Sequence, residues 1–116
     1  MNERTISLKD ILEMRVETDS PNDIITINFN RQELSAIFQN RTFKCKKLIF
    51  EHISITDFKF IDCIFNCEVE FKKCSLESLI FTSCEINSSF FSILNSDINS
   101  LEFRENTNDI RNIKTN

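Results

Sequence analysis

From Phe43 to Phe103 the chain repeats itself every five residues, and this period constrains its fold more than any other feature. Read in fives, the segment runs FKCKK, LIFEH, ISITD, FKFID, CIFNC, skips Glu68, and resumes as VEFKK, CSLES, LIFTS, CEINS, SFFSI, LNSDI, NSLEF. The third residue of successive blocks is Cys45, Phe50, Ile55, Phe60, Phe65, Phe71, Leu76, Phe81, Ile86, Phe91, Ser96 and Leu101. The first is Phe43, Leu48, Ile53, Phe58, Cys63, Val69, Cys74, Leu79, Cys84, Ser89, Leu94 and Asn99. Only Ser89, Ser96 and Asn99 among these are polar. An amphipathic helix would repeat its apolar positions about every 3.6 residues and a half-buried strand about every 2. A fixed internal period instead marks a solenoid, in which each unit buries its apolar side against the next. Two inward residues in five fit a chain that turns a corner every five residues, so the expected fold is an all-β solenoid.

The blocks resemble those of the pentapeptide repeat family, which carry Leu or Phe at the third position and a small residue at the first. Cys63, Val69, Cys74, Cys84 and Ser89 match at the first position, whereas Phe43, Leu48, Ile53, Phe58, Leu79 and Leu94 are larger than the family's usual residue. The resemblance covers residues 43–103. It implies a right-handed quadrilateral β-helix of about three coils, four blocks to a coil, with both positions pointing inward. Blocks four apart would then stack as Cys45, Phe65 and Ile86, as Phe50, Phe71 and Phe91, as Ile55, Leu76 and Ser96, and as Phe60, Phe81 and Leu101. The skipped Glu68 would form a one-residue bulge at a corner.

An open coil end exposes unpaired backbone groups as any edge strand does, so a cap is expected before the repeat. Residues 1–42 supply it as a small α/β unit of short helix, strand and short helix. SLKDILEMR spaces Leu8, Ile11, Leu12 and Val16 for a helix with Ser7 as N-cap. DSPND is turn chemistry and IITINF reads as a strand. Asn30 with Glu33 opens NRQELSAIF as a capping-box helix, the alternative being a first irregular coil that uses Phe38 and Phe43. Residues 104–116 are polar and are expected to be a frayed tail or one short helix.

The chain is one small domain of 116 residues with net charge −4, which argues against general nucleic-acid binding, where a basic footprint is wanted. It holds no apolar run near the ~20 residues of a membrane span. MNERTISLKDILEMR is charged throughout, so no secretory leader is expected and a cytoplasmic location is. Of the five cysteines, Cys45, Cys63, Cys74 and Cys84 fall on inward positions and act as small hydrophobes, while Cys67 falls outward. Their odd number and spacing fit neither a disulfide framework nor a zinc motif, and His52 is the only histidine. There is no glycine, which excludes the usual tight hairpins and suits corners without positive φ.

No nucleophile stands beside a base and no phosphate-binding glycine loop occurs, so no enzyme and no cofactor is expected. The register instead sorts the surface. Asp57, Glu77 and Asp97 fall one per coil on one face, and Asp62 and Glu102 join them on the adjoining face. Lys44, Lys46, Lys47, Lys72 and Lys73 fall on the other two faces. The acidic strip reads as a protein-binding surface or as a merely solvated face. The resemblance favours the first, because the family includes binders of DNA gyrase that resemble a DNA duplex in size and charge. That implies an inhibitor or modulator of a nucleic-acid-processing protein, without direct nucleic-acid binding. Phe90, Ile93, Ile98 and Phe103 fall on outward positions of the last coil. Such a cluster asks for a cover, either a second copy in a homodimer, as in family members that dimerise at the C-terminal coil, or the chain's own tail through Ile110 and Ile113. A self-associating assembly module is therefore the alternative function.

Overall fold

Every strand pairing among the described residues is parallel, which in a small β-protein requires the backbone to travel once around between partners. The computed structural model describes residues 2–13, 19–28, 35–88, 90–105 and the backbone of 113–115. The elements are β1 (Glu3–Ser7), α1 (Leu8–Leu12), β2 (Asp19–Asn28), β3 (Ser35–Gln39), β4 (Thr42–Glu51), β5 (Ser54–Ile61), β6 (Ile64–Lys72), β7 (Ser75–Thr82), β8 (Glu85–Ile86), β9 (Phe91–Leu94), β10 (Asp97–Arg104) and β11 (Ile113–Thr115). One sheet runs β1-β2-β4-β6-β9-β11, with β8 also paired to β6, and the other runs β10-β7-β5-β3. The chain alternates between them and builds a β-solenoid of about four turns with one short helix near its start.

The core is a column of stacked rings. Phe38, Phe60, Phe81 and Phe103 lie over one another with centroids 5.2, 4.9 and 5.1 Å apart and planes within 13° of parallel. Phe43 stacks on Phe65 at 4.9 Å and Phe50 on Phe71 at 4.7 Å. Parallel pairing sets identical side chains about 4.8 Å apart, within contact distance for flat rings in the same rotamer. Phe60 is the hub, with rings of Phe38, Phe43, Phe50, Phe58, Phe65, Phe71 and Phe81 around it.

The expected inward set from Leu48 to Ile86 is inward without exception. Outside that stretch the register differs. Phe43 stacks on Phe65, so it holds a third position and Arg41 the first; Cys45 is an additional residue of the corner. Past Ile86 the beat slips by two. Phe91 pairs with Val69, Ile93 with Phe71, Ile98 with Leu76, Leu101 with Leu79 and Phe103 with Phe81. The slip buries Phe91 and Ile93 and leaves Ser96 as the one polar residue at an inward position of that coil.

Ser96 shows why small residues recur at first positions, in its own column with Cys74 and in the separate column of Cys63 and Cys84. Its hydroxyl donates to Leu94 O at 2.9 Å and accepts from Cys74 N at 3.0 Å. The thiols of Cys63, Cys74 and Cys84 likewise donate to the carbonyls of Ile61, Lys72 and Thr82, two residues back, and of Phe38, Phe50 and Phe60, one coil back. Burial pushes the Cys74 thiol up to about 11, which keeps it a donor.

Each of these residues follows a left-handed one. Asn40, His52, Asp62, Lys73, Ser83, Asn95 and Glu105 have φ between 49° and 58°, contrary to the expectation that the corners avoid positive φ. A left-handed non-glycine costs about 1–2 kcal/mol. The cost is offset by the amides of Asn40, His52, Asp62, Lys73 and Ser83, each bonded to a carbonyl of the next coil at 2.8–3.1 Å. Glycine relieves the strain but loses more chain entropy, about 0.5–1 kcal/mol. Lys73→Gly, at an exposed corner, is therefore expected to raise stability by about 0.5–1 kcal/mol. A loss of stability in urea melts would show that Lys73 holds its corner by side-chain contacts.

The N-terminal region is less a separate cap than further solenoid. Ser7 caps α1, accepting from Asp10 N at 3.1 Å, and Leu8 and Ile11 are buried, as expected. IITIN lies in β2, which extends the first sheet, and DSPND, expected as a turn, is the start of the same strand, where the register shifts between Ser20 and Ile24. The second expected helix is not there over its described part: Ser35–Gln39 is β3, with Ala36 and Phe38 buried against Phe58 and Phe60. Pairing with β5 and burial of two residues at strand spacing override the helical propensity of that stretch. Asn30, Glu33, Val16, Ser89 and Ile110 lie outside the described residues. The tail does not end as a frayed segment or helix: β11 returns over β9, with Ile113 opposite Phe91.

Candidate functional site

Four corners per turn would be equivalent in a perfect repeat, but one is not. At that corner the step from a third-position residue to the next first-position residue runs from Phe43 to Leu48, from Phe65 to Val69 and from Ile86 to Phe91. Elsewhere the same step runs as from Phe60 to Cys63 or Phe71 to Cys74. Extra residues thus enter at the same corner in three consecutive coils, and β2 shifts register there too, between Ser20 and Ile24. The skipped Glu68 marks only one of these. The stacked insertions open a concavity of about 580 Å³ lined by Lys46, Asn66, Glu68, Asn87 and Ser88, with Cys45 and Cys67 in its wall and Phe90 at its side. Asn87 donates to Asn66 across the coils at 2.6 Å. Cys67 is buried, not outward as expected, because the bulge turns it in beside Cys45.

The acidic strip is real as a face but not as a straight line. Asp57 pairs in register with Ser78, whereas Glu77 precedes Ser78 and Asp97 sits opposite Ser75. The three carboxylates therefore run diagonally across successive coils. Glu77 and Asp97 are exposed and Asp57 is half-buried. Asp62 occupies a left-handed corner and Glu102 is ion-paired to Arg104. Taken whole, the outer side of the second sheet and its corner carries Asp57, Asp62, Glu77, Asp97, Glu102 and Glu105 against Lys59 and Arg104. The outer side of the first sheet is mixed instead, with Lys47 bonded to Glu70 at 3.3 Å and Lys72 to Glu51 at 3.8 Å.

The C-terminal apolar group divides. Phe90 is 63% exposed. Ile93 is buried, and Ile98 and Phe103 are half-buried against the core, so these three point inward where the five-residue count placed them outward. The reason is the two-residue slip, for which the cluster of polar exceptions at Ser89, Ser96 and Asn99 was the available signal. Among the described residues no group of three or more metal-ligating side chains occurs, and no helix is long and apolar enough to cross a membrane. No family model matches the sequence, and no curated protein or solved structure matches the chain.

Proposed function

We propose that this protein is a non-enzymatic, cytoplasmic binding module, a divergent relative of the pentapeptide repeat proteins. In this reading it meets a basic protein partner through the acidic side of its second sheet. The observation that carries the reading is the segregation of charge: one outer face gathers six named carboxylates against Lys59 and Arg104, while the other face pairs its charges coil to coil. A rigid column with a diagonal row of carboxylates suits the basic groove of a nucleic-acid-handling protein, such as a topoisomerase or a defence nuclease, where it would act as an inhibitor that imitates DNA. Neither a cofactor nor direct nucleic-acid binding enters this reading. Complementary fields act mainly on the association rate and are screened by salt. Replacing Asp57, Glu77 and Asp97 together by Lys is expected to slow association with such a partner at least about tenfold at low salt, the effect shrinking as salt rises. Capture of partners on the immobilised protein, followed by association kinetics and a supercoiling or cleavage assay with the captured enzyme, makes the comparison. Unchanged capture and inhibition by the triple variant would exclude the acidic face.

A second reading rests on a different observation. β10 is the terminal strand of its sheet among the described residues, and its Ile98, Leu101 and Phe103 are only half covered. A second copy laid on that edge would complete them, making a homodimer through the C-terminal coil. Light scattering at about 100 μM, well above typical interface affinities, separates dimer from monomer.

A further inference from the structure

Four of the five cysteines form two pairs, each stacked across adjacent coils, and the pairs differ in access. Cys63 and Cys84 are completely buried, and their thiols already donate to ladder carbonyls. Cys84 is drawn down to about 7, first by the adjacent Cys63 side chain, but solvent does not reach it. Cys45 and Cys67 sit at the irregular corner instead. Lys44 pairs with Asn66 and the register breaks just after them, so Cys45 and Cys67 face each other across adjacent strands at the break, close enough for each thiol to perturb the other's acidity. Adjacent strands lie about 4.8 Å apart, inside the roughly 4.4–6.8 Å Cα span that a disulfide bridges. Both thiols border the open concavity, with 4% and 6% of their residues' surface exposed. A water molecule takes about 30 Å³, so the space of about 580 Å³ admits a small oxidant.

The surroundings make the two sulfurs unequal. The adjacent Cys67 thiol, with help from the Arg4 guanidinium, holds Cys45 below the ordinary thiol value despite its burial and the carboxylate of Asp23. The adjacent Cys45 thiol, burial and the nearby Glu68 carboxylate hold Cys67 above it. Cys45 is thus the more acidic sulfur of the pair and Cys67 the less acidic, which is the division of labour of an attacking and a resolving cysteine.

We propose that Cys45 and Cys67 form a redox-active dithiol, converted by a hydroperoxide to a disulfide that ties two adjacent coils together at the irregular corner. The Cys45 thiolate attacks the peroxide, an S–O bond forms as the O–O bond breaks, and the alcohol or water leaves with a proton from solvent. The Cys67 sulfur then attacks that sulfenic acid. The S–S bond forms as the S–O bond breaks, and the hydroxyl departs as water with the Cys67 proton. Both sulfurs are oxidised by one electron each, and the peroxide takes the two electrons. The site is independent of the acidic face, at a different corner of the solenoid.

Folded, reduced protein treated with a few equivalents of hydrogen peroxide, then alkylated, digested and mapped by mass spectrometry, tests this. The expected product is a Cys45–Cys67 cross-link that dithiothreitol reverses, with Cys63, Cys74 and Cys84 recovered as thiols. Cys67→Ser should trap Cys45 as a sulfenic acid that dimedone labels, while Cys45→Ser should leave Cys67 unlabelled. The wild-type map stands by itself if either variant folds poorly. Recovery of both thiols under peroxide that consumes free cysteine would overturn the proposal. So would equal oxidation of Cys63 and Cys84, or a cross-link that appears only as the β circular-dichroism signal is lost, since either would mean oxidation through unfolding.

Discussion

Phe60→Ala is expected to cost about 3–5 kcal/mol, the range for truncating a buried aromatic. The size follows from its place: Phe60 is fully buried and touches the rings of both flanking coils and of the opposite sheet. The rings above and below are fixed by backbone pairing of Phe38 and Phe81 to the same strand, so they cannot close the cavity by sliding inward. Against a typical total of about 5–15 kcal/mol, the loss removes a large share of the stability. Phe60→Leu keeps most of the volume and should cost clearly less. Phe90→Ala, on an exposed ring, should stay within about 0.5 kcal/mol. Urea melts of the three variants give the ranking; a Phe60→Ala loss below about 1 kcal/mol would mean that the stacked column is not the core.

Arg41→Ala is expected to cost about 2–3 kcal/mol, from loss of a charged hydrogen bond and a cation–π contact together. Its guanidinium donates to Ile11 O at 2.9 Å and its Cζ lies 5.4 Å over the Phe38 ring. Arg41 thus ties α1 to the mouth of the ring column, at the position that Cys63 and Cys84 fill in later coils. Lys at this site keeps the charge but cannot stack a flat cation and reach the carbonyl together, so Arg41→Lys should recover less than half of the loss. In a solenoid each coil leans on its neighbours, and the damage should start locally. Hydrogen exchange should accelerate in α1 and β3 before it does in β6 and β7. Uniform acceleration would place Arg41 in the global core instead of at the cap.

The inward ladder from Leu48 to Ile86 was legible because each coil there repeats without insertion on three of its corners. The acidic character of one side was legible too, since parity along a strand sends alternate residues outward whatever the fine register. The alignment of Asp57, Glu77 and Asp97 was legible only in part: Asp57 and Glu77 are fifth and fourth residues of their blocks and so are offset by one, while the slip past Ile86 moves Asp97 two residues from its expected place opposite Glu77. The thiol pair of Cys45 and Cys67 was hidden for the same reason: counting in fives put one inward and the other outward. β1 was not foreseen and β3 was expected first as a helix, because neither carries a five-residue beat and both join their sheets through pairing alone.

By itself the sequence determined that this chain is a solenoid and most of the phenylalanines that fill it, Phe38 and Phe103 excepted. Burial of apolar residues at a fixed period leaves no other economical packing, and it is encoded residue by residue. Where each coil takes up its extra residues, which corners adopt positive φ, and that both ends of the chain add strands to the first sheet were decided only by the tertiary structure. Those choices depend on backbone hydrogen bonds between residues about a coil apart. Peptide groups are the same at every position, so the pairing that satisfies most of them leaves little trace in the side chains.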